Sequence, residues 1–222
     1  MYKVRVGKKI LSENEKYALQ NKQMLNESRT LCVNMISSPG SGKTTILCRT
    51  INELKNELGI GVVEGDIKTD LDCQRIKAVT AEVIQINTNG ACHLSAAQVN
   101  NALRKLPVNH LDLIFIENVG NLVCPSAFEL GEDFKIAVLS VPEGDDKPAK
   151  NPAVFAKSKV LLINKTDLLG PIDKRQFDME TVKSHTRKLN KDIRIFPVSA
   201  QTGQGMTDWY DWLKDAVKIN KQ

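Results

Sequence analysis

The stretch SSPGSGKTT, Ser37 to Thr45, decides the reading of this chain. It fits the phosphate-loop pattern G-x-x-x-x-G-K-[ST] everywhere except the first position, where Ser37 replaces glycine. The defining geometry lies in the later residues, so a serine is tolerated there if its φ is negative. The stretch follows a short apolar run, LCVNMI (31–36), and opens a helical pattern, TTILCRTINELKNEL (44–58), ending before Gly59 as at a C-cap glycine. In that context Ser38, Pro39, Gly40, Ser41, Gly42, Lys43, Thr44 and Thr45 are the candidate phosphate binders. Successive backbone N–H groups and the positive end of the helix suit a β-phosphate. Gly40 and Gly42 let the backbone approach. Lys43 can neutralise the β and γ oxygens, and Thr44 can ligate Mg²⁺.

Working outward, the same alternation repeats. GVVEGD (61–66), EVIQIN (82–87), LDLIFIEN (111–118), FKIAVLSV (134–141), KVLLINK (159–165) and IRIFPVSA (193–200) read as strands. Amphipathic segments between them read as helices, with a last one from about Met206 to Lys218. Continuous apolar strands alternating with helices predict an α/β fold. Its core is a doubly wound, mainly parallel sheet covered on both faces, a P-loop NTPase architecture. Residues 1–28 are polar helix formers and read as an N-terminal helical extension; 29–222 read as one P-loop NTPase domain.

Composition narrows the class. The 222 residues are 41% hydrophobic, enough for one substantial core. The net charge of +5 comes from 31 basic and 26 acidic residues spread along the chain, without interleaved aromatics. That argues against a nucleic-acid partner. No apolar run reaches the length of a membrane span, and the first twenty residues lack an apolar h-region. Five cysteines at irregular spacing do not make a disulfide framework. The expectation is a cytoplasmic protein with reduced thiols.

Ligands of a doubly wound sheet sit beyond the carboxyl ends of its strands, and the polar signals fall there. Glu117, ending LIFIE, is the acid expected to reach Mg²⁺ through water or to hold the attacking water. Asp66, ending GVVEGD, is a second candidate for the metal shell. Lys43, Thr44, Asp66 and Glu117 form the catalytic set. Asp70 and Asp72 read equally well as helix N-terminal acids. The base is read by NKTD (164–167): Asp167 can accept N1–H and N2–H of guanine, a donor pair that adenine lacks. Asn164 can bond N7 and brace the loop, and the Lys165 stem can cover the base. After another strand, Ser199 and Ala200 of SAQ place a backbone N–H where guanine O6 would lie.

In this order, SSPGSGKTT, EGD, NGACH, ENVGNLVCP, SVPEGDD and NKTD resemble the hydrogenase nickel-incorporation GTPases, the HypB family. The match runs from about Val33 to the C-terminal helix; ENVGNLVCP and SVPEGDD are its most specific parts. The resemblance implies a nucleotide-dependent homodimer of the signal-recognition/MinD-like class. It implies GTP, Mg²⁺ and Ni²⁺ as cofactors, with Zn²⁺ possible at the nickel site. It also implies delivery of nickel to [NiFe] hydrogenase, with nickel-delivery proteins and the hydrogenase large-subunit precursor as partners. The family's GTP-regulated metal site falls on Cys92, His93 and Cys124. The family's N-terminal cysteine motif or His-rich tract has no counterpart here, the first cysteine being Cys32. A further histidine found in some relatives is Ala97 in this chain.

On their own terms, scattered cysteines default to buried structural thiols. Cys92 and His93 follow the third strand, however, and Cys124 the fourth. If those strands are near neighbours, the loops converge on a site suited to tetrahedral Zn²⁺ or square-planar Ni²⁺. Three ligands per chain leave a dimer to complete it. Cys32, Cys48 and Cys73 read as core, and His110 and His185 as surface or capping residues. Two other readings stay open: a small-molecule P-loop kinase, against which NKTD argues, and a GTP-dependent interaction switch that binds no metal. A urease-dedicated relative is a nearer rival, against which VGNLVCP argues. No water-orienting glutamine follows the fourth strand, so intrinsic turnover is expected to be slow.

Overall fold

The computed structural model describes residues 6–66, 71–80, 82–170 and 177–222; side chains are described from Glu13 onward, apart from Asp66. The elements run α1 (Val6–Ser28), β1 (Leu31–Ser37), α2 (Lys43–Leu54), β2 (Ile60–Asp66), α3 (Leu71–Lys77), β3 (Val83–Asn87) and α4 (Ala96–Leu103). Then come β4 (Leu113–Glu117), α5 (Cys124–Ala127), β5 (Phe134–Ser140), α6 (Lys147–Lys150) and α7 (Pro152–Lys157). The chain closes with β6 (Ser158–Asn164), α8 (Met179–Leu189), β7 (Arg194–Pro197) and α9 (Met206–Asn220).

The strands form one seven-stranded sheet in the order β3-β2-β4-β1-β5-β6-β7, every pairing parallel. Parallel strands need crossover helices, which cover both faces. β1 shows the consequence: Leu31, Val33 and Met35 join the core under α2, α3 and α9, while Cys32 joins the core under α1 and α4. Ile36 packs in a third cluster, with residues of α7 and α8. Strand order reverses around β1, whose neighbours are β4 and β5. That switch point opens a crevice at the carboxyl ends, where the phosphate loop lies.

α1 is fastened to the body by buried amides rather than by an apolar stripe alone. Asn21 donates to Ala96 O (2.9 Å) and Leu130 O (2.7 Å) and accepts from Asn100 Nδ2 (2.7 Å). Asn14 donates to Glu129 O at 2.7 Å and accepts the N–H of Ala96, the first residue of α4, at 2.8 Å. Each such amide left unpaired would cost about 1–3 kcal/mol, so the helix has a fixed register on α4. Among the described residues no helix is long and apolar enough to cross a membrane.

One expectation is corrected and one condition is settled. The helix after the phosphate loop ends at Leu54, and Gly59 has no left-handed φ, so it is not a C-cap glycine. A Cβ at Gly59 would stand 2.7 Å from His110 O. The position is glycine because the segment before β4 passes against it. The third and fourth strands are also not neighbours: β2 lies between them.

Candidate functional site

The phosphate loop spans from β1 to α2 with Gly40 and Gly42 at φ 77° and 90°, values open to glycine at little cost. Ser37 is buried in β1 and has no positive φ, so the serine at the first position brings no strain. The loop lines a cleft of about 500 Å³ with Glu117, Asn118, Val119, Gly120 and Lys165. Ser41 Oγ donates to Glu143 Oε2 at 2.7 Å, and the same oxygen takes the Ser140 N–H at 2.8 Å. Glu143 therefore braces the loop from the end of β5. No local sequence signal points to that contact, since 102 residues separate Glu143 from Ser41.

Glu117 sits where the acid was expected. Its Oε1 accepts the Thr44 hydroxyl at 2.7 Å and lies 3.5 Å from Lys43 Nζ. Burial pushes the Glu117 carboxyl above the usual glutamate range, against the pull of Lys43 and Thr44. Its Oε2 is buried with no hydrogen-bond partner among the described residues. A buried carboxyl oxygen without a partner, beside the Thr44 hydroxyl, fits a divalent cation or a water bound to one. Asp66 closes β2, but its side chain lies outside the described residues, as does all of Asp70. Asp72, in the first turn of α3, lines the same cleft and pairs with Arg75 at 3.0 Å. Arg75 also donates to Thr45 Oγ1 at 2.9 Å.

The NKTD segment is built into the loop. Asn164 Nδ2 donates to Ser41 O at 2.8 Å, and Lys165, at φ 63°, reaches over to donate to Gly40 O at 2.7 Å. The Asp167 carboxylate is exposed and is held by Ser199 Oγ at 2.5 Å, which leaves acceptor capacity facing outward. The Ala200 N–H, expected to face a guanine O6, donates to Asn164 Oδ1 at 3.0 Å. Arg49 of α2 holds that loop through Ala200 O at 3.0 Å.

The two cysteine-bearing loops do converge, although β2 separates their strands. The ligand atoms of Cys92, His93 and Cys124 lie within 4.8 Å of one another. Cys92 Sγ is 3.6 Å from His93 Nδ1, and the His93 ring stacks on Phe128 at 4.0 Å. The reason for the convergence is Gly65 of β2. A Cβ there would stand 2.8 Å from Leu94, so the residue after His93 folds down onto the intervening strand. Across the gap, Asn121 Nδ2 donates to Cys92 O at 3.4 Å. A hydrogen bond shared with Cys124 raises the Cys92 thiol above its usual range, and burial lowers His93. Two thiols and an imidazole are a donor set for Zn²⁺ or Ni²⁺. Cys32 and Cys73 are buried, and Cys48 is half-buried, its thiol pushed up to about 11 by burial. All three lack the exposure of Cys92. His110 is exposed; His185 is half-buried.

A family model for the CobW/HypB/UreG nucleotide-binding domain matches residues 31–197, spanning every one of these loops up to NKTD. The hydrogenase maturation factor HypB of Azotobacter vinelandii is 46% identical over 211 residues, 95% of this chain and 69% of that protein. The chain belongs to the HypB hydrogenase maturation factors. Solved structures of the family agree in fold. HypB from Archaeoglobus fulgidus superposes with a TM-score of 0.86 at 36% identity, covering 93% of this chain and all of that one. HypB from Helicobacter pylori, determined in complex with nickel, gives 0.87 at 34% identity, covering 95% and 97%. The matched span thus carries both halves of the site, the phosphate cleft and the Cys-His-Cys cluster.

Proposed function

We propose that this chain is a GTP-hydrolysing nickel chaperone that assists nickel insertion into [NiFe] hydrogenase. One observation carries the reading: residues 118–124 run directly from the cleft acid Glu117 to the metal-ligating Cys124. A change at a γ-phosphate then displaces a metal ligand with six residues of loop between them.

In this reading the loop from Ser38 to Thr45 cradles the phosphates and Lys43 neutralises the transferring group. Thr44 would hold Mg²⁺, with Asp66 a second candidate ligand and Glu117 reaching the ion through a water. Mg²⁺ supplies charge neutralisation at the β and γ oxygens. Glu117 orders the attacking water or the water on the ion. Asn164 and Lys165 frame the base, Asp167 selects guanine, and Ser199 and Ala200 fix the loop that supports them. Cys92, His93 and Cys124 take Ni²⁺ as cargo, with Zn²⁺ competing for the same donors. Three ligands leave a position that a second copy can fill, so the metal-loaded form is a nucleotide-dependent homodimer. Residues 1–28 serve as an extension of the GTPase domain, and the partners are nickel-delivery proteins and the hydrogenase precursor in the cytoplasm.

The test is a calorimetric Ni²⁺ titration with GDP and with a non-hydrolysable GTP analogue, alongside phosphate release from GTP. The reading requires GTP hydrolysis and a Ni²⁺ affinity that differs between the two nucleotides. Absence of phosphate release would remove the GTPase, and a Ni²⁺ affinity identical with the two nucleotides would separate the cluster from the cleft.

A further inference from the structure

Asn118 follows Glu117 and is almost fully buried, yet it lies inside no helix or strand. A buried amide needs partners, and those of Asn118 are specific. Its Oδ1 accepts two backbone N–H groups, from Leu94 at 3.2 Å and from Val119 at 3.0 Å. Leu94 adjoins His93; Val119 begins the loop that leads to Cys124. Its Nδ2 donates to Asn34 Oδ1 of β1 at 3.2 Å, and Asn34 in turn donates to Glu132 Oε1 at 3.0 Å. Its own N–H continues the β1–β4 ladder onto Met35 O at 3.1 Å. Asn118 also lines the phosphate cleft.

One oxygen atom therefore holds both ligand-bearing loops, and the residue that carries it is bonded in sequence to the cleft acid. We infer that Asn118 is the positioning residue that couples nucleotide state to the metal cluster. It sets the separation of the Cys92–His93 arm from the Cys124 arm according to where Glu117 places the end of β4. This inference rests on the proposed GTP-linked nickel site. It adds that the coupling passes through one side chain rather than through the loop backbone alone. Asn34 and Glu132 fix the far side of the amide. A shift of β4 is thus expressed at Oδ1, where the two arms meet, and not dissipated into the sheet.

The experiment compares Ni²⁺ affinity at saturating GDP and at a saturating non-hydrolysable GTP analogue, in wild type and in Asn118→Ala. Coupled sites typically differ by about 5-fold or more between states. Wild type is expected to show such a ratio, and Asn118→Ala to bring it within about twofold of unity. A variant that merely loosened the fold would weaken Ni²⁺ binding in both states and keep the ratio. A wild-type ratio retained in Asn118→Ala overturns the inference while leaving the nickel-GTPase reading in place. A wild type with no ratio overturns both. Hydrogen exchange on the wild-type protein answers the question should the variant not fold. The Leu94 and Val119 amides are expected to change protection together between the two nucleotides; unchanged protection of both overturns the inference.

Discussion

Thr44 Oγ1 donates to Glu117 Oε1 at 2.7 Å, and that one hydrogen bond ties the first turn of α2 to the end of β4. The hydroxyl that a phosphate-loop protein uses on Mg²⁺ is held by the acid proposed to reach the ion through water. Glu117→Gln keeps the shape but removes the charge. Phosphate release is expected to slow roughly 10²-fold, with GDP affinity little changed. Lys43→Ala should abolish turnover. Single-turnover phosphate release measures both, and a Glu117→Gln protein that hydrolyses GTP at the wild-type rate would show the acid to be a bystander.

Asp167 is exposed and oriented by Ser199. Asp167→Asn replaces an acceptor by a donor, so GTP binding should weaken by about 2–4 kcal/mol and xanthosine triphosphate should gain over it. Competition of the two nucleotides for labelled GDP reads the switch; an unchanged guanine preference would place base recognition elsewhere.

The ligand atoms of Cys92, His93 and Cys124 lie close together on two loops. Cys92→Ala and Cys124→Ala should each lose Ni²⁺ binding, and His93→Ala should weaken it. Chelation should return a metal-dependent dimer toward monomer. Sedimentation with metal analysis checks both, and full metal content in the double cysteine variant would rule the cluster out.

Burial pulls the Glu132 carboxyl upward, but Lys135 at 2.7 Å, Asn34 and the Leu130 N–H outweigh it and hold it below the usual range. Such a carboxylate binds its proton less readily folded than unfolded. Its contribution to stability is present above the ordinary glutamate value of about 4.5 and is lost as pH falls toward the folded value. Wild type should therefore exceed Glu132→Gln in stability at neutral pH, with the gap narrowing below that value. Urea midpoints across pH 7 to 3 measure it; a gap independent of pH would contradict the assignment.

What was legible in the chain follows from locality. SSPGSGKTT carries its own strand, turn and helix signals, and NKTD sits at a strand end, so the cleft and the NKTD segment beside it could be placed from the sequence. The alternating apolar runs gave the parallel sheet. Long-range polar partners were not legible. Asn34 lies inside the apolar run LCVNMI, and its partners Asn118 and Glu132 are 84 and 98 residues away. Glu143 lies within SVPEGDD, but no local signal says that it reaches Ser41. The convergence of the cysteine loops depends on Leu94 seating on Gly65, a packing fact that strand order alone would have argued against. Gly59 meets a close backbone approach, and a helix cap calls for the same residue, so its local sequence does not separate the two.

Asn164 and Lys165 each bond a carbonyl of the phosphate loop, at Ser41 and Gly40, while Asn164 also takes the Ala200 N–H. The proposed base-reading segment and the phosphate loop are thereby hydrogen-bonded into one frame. On the proposed reading, the distance between them would act as a ruler for the length of a nucleotide, and the entropy of ordering both loops would be lost at folding instead of at binding. A guanine and a triphosphate offered as separate molecules would forgo that advantage, since each would have to be immobilised on its own.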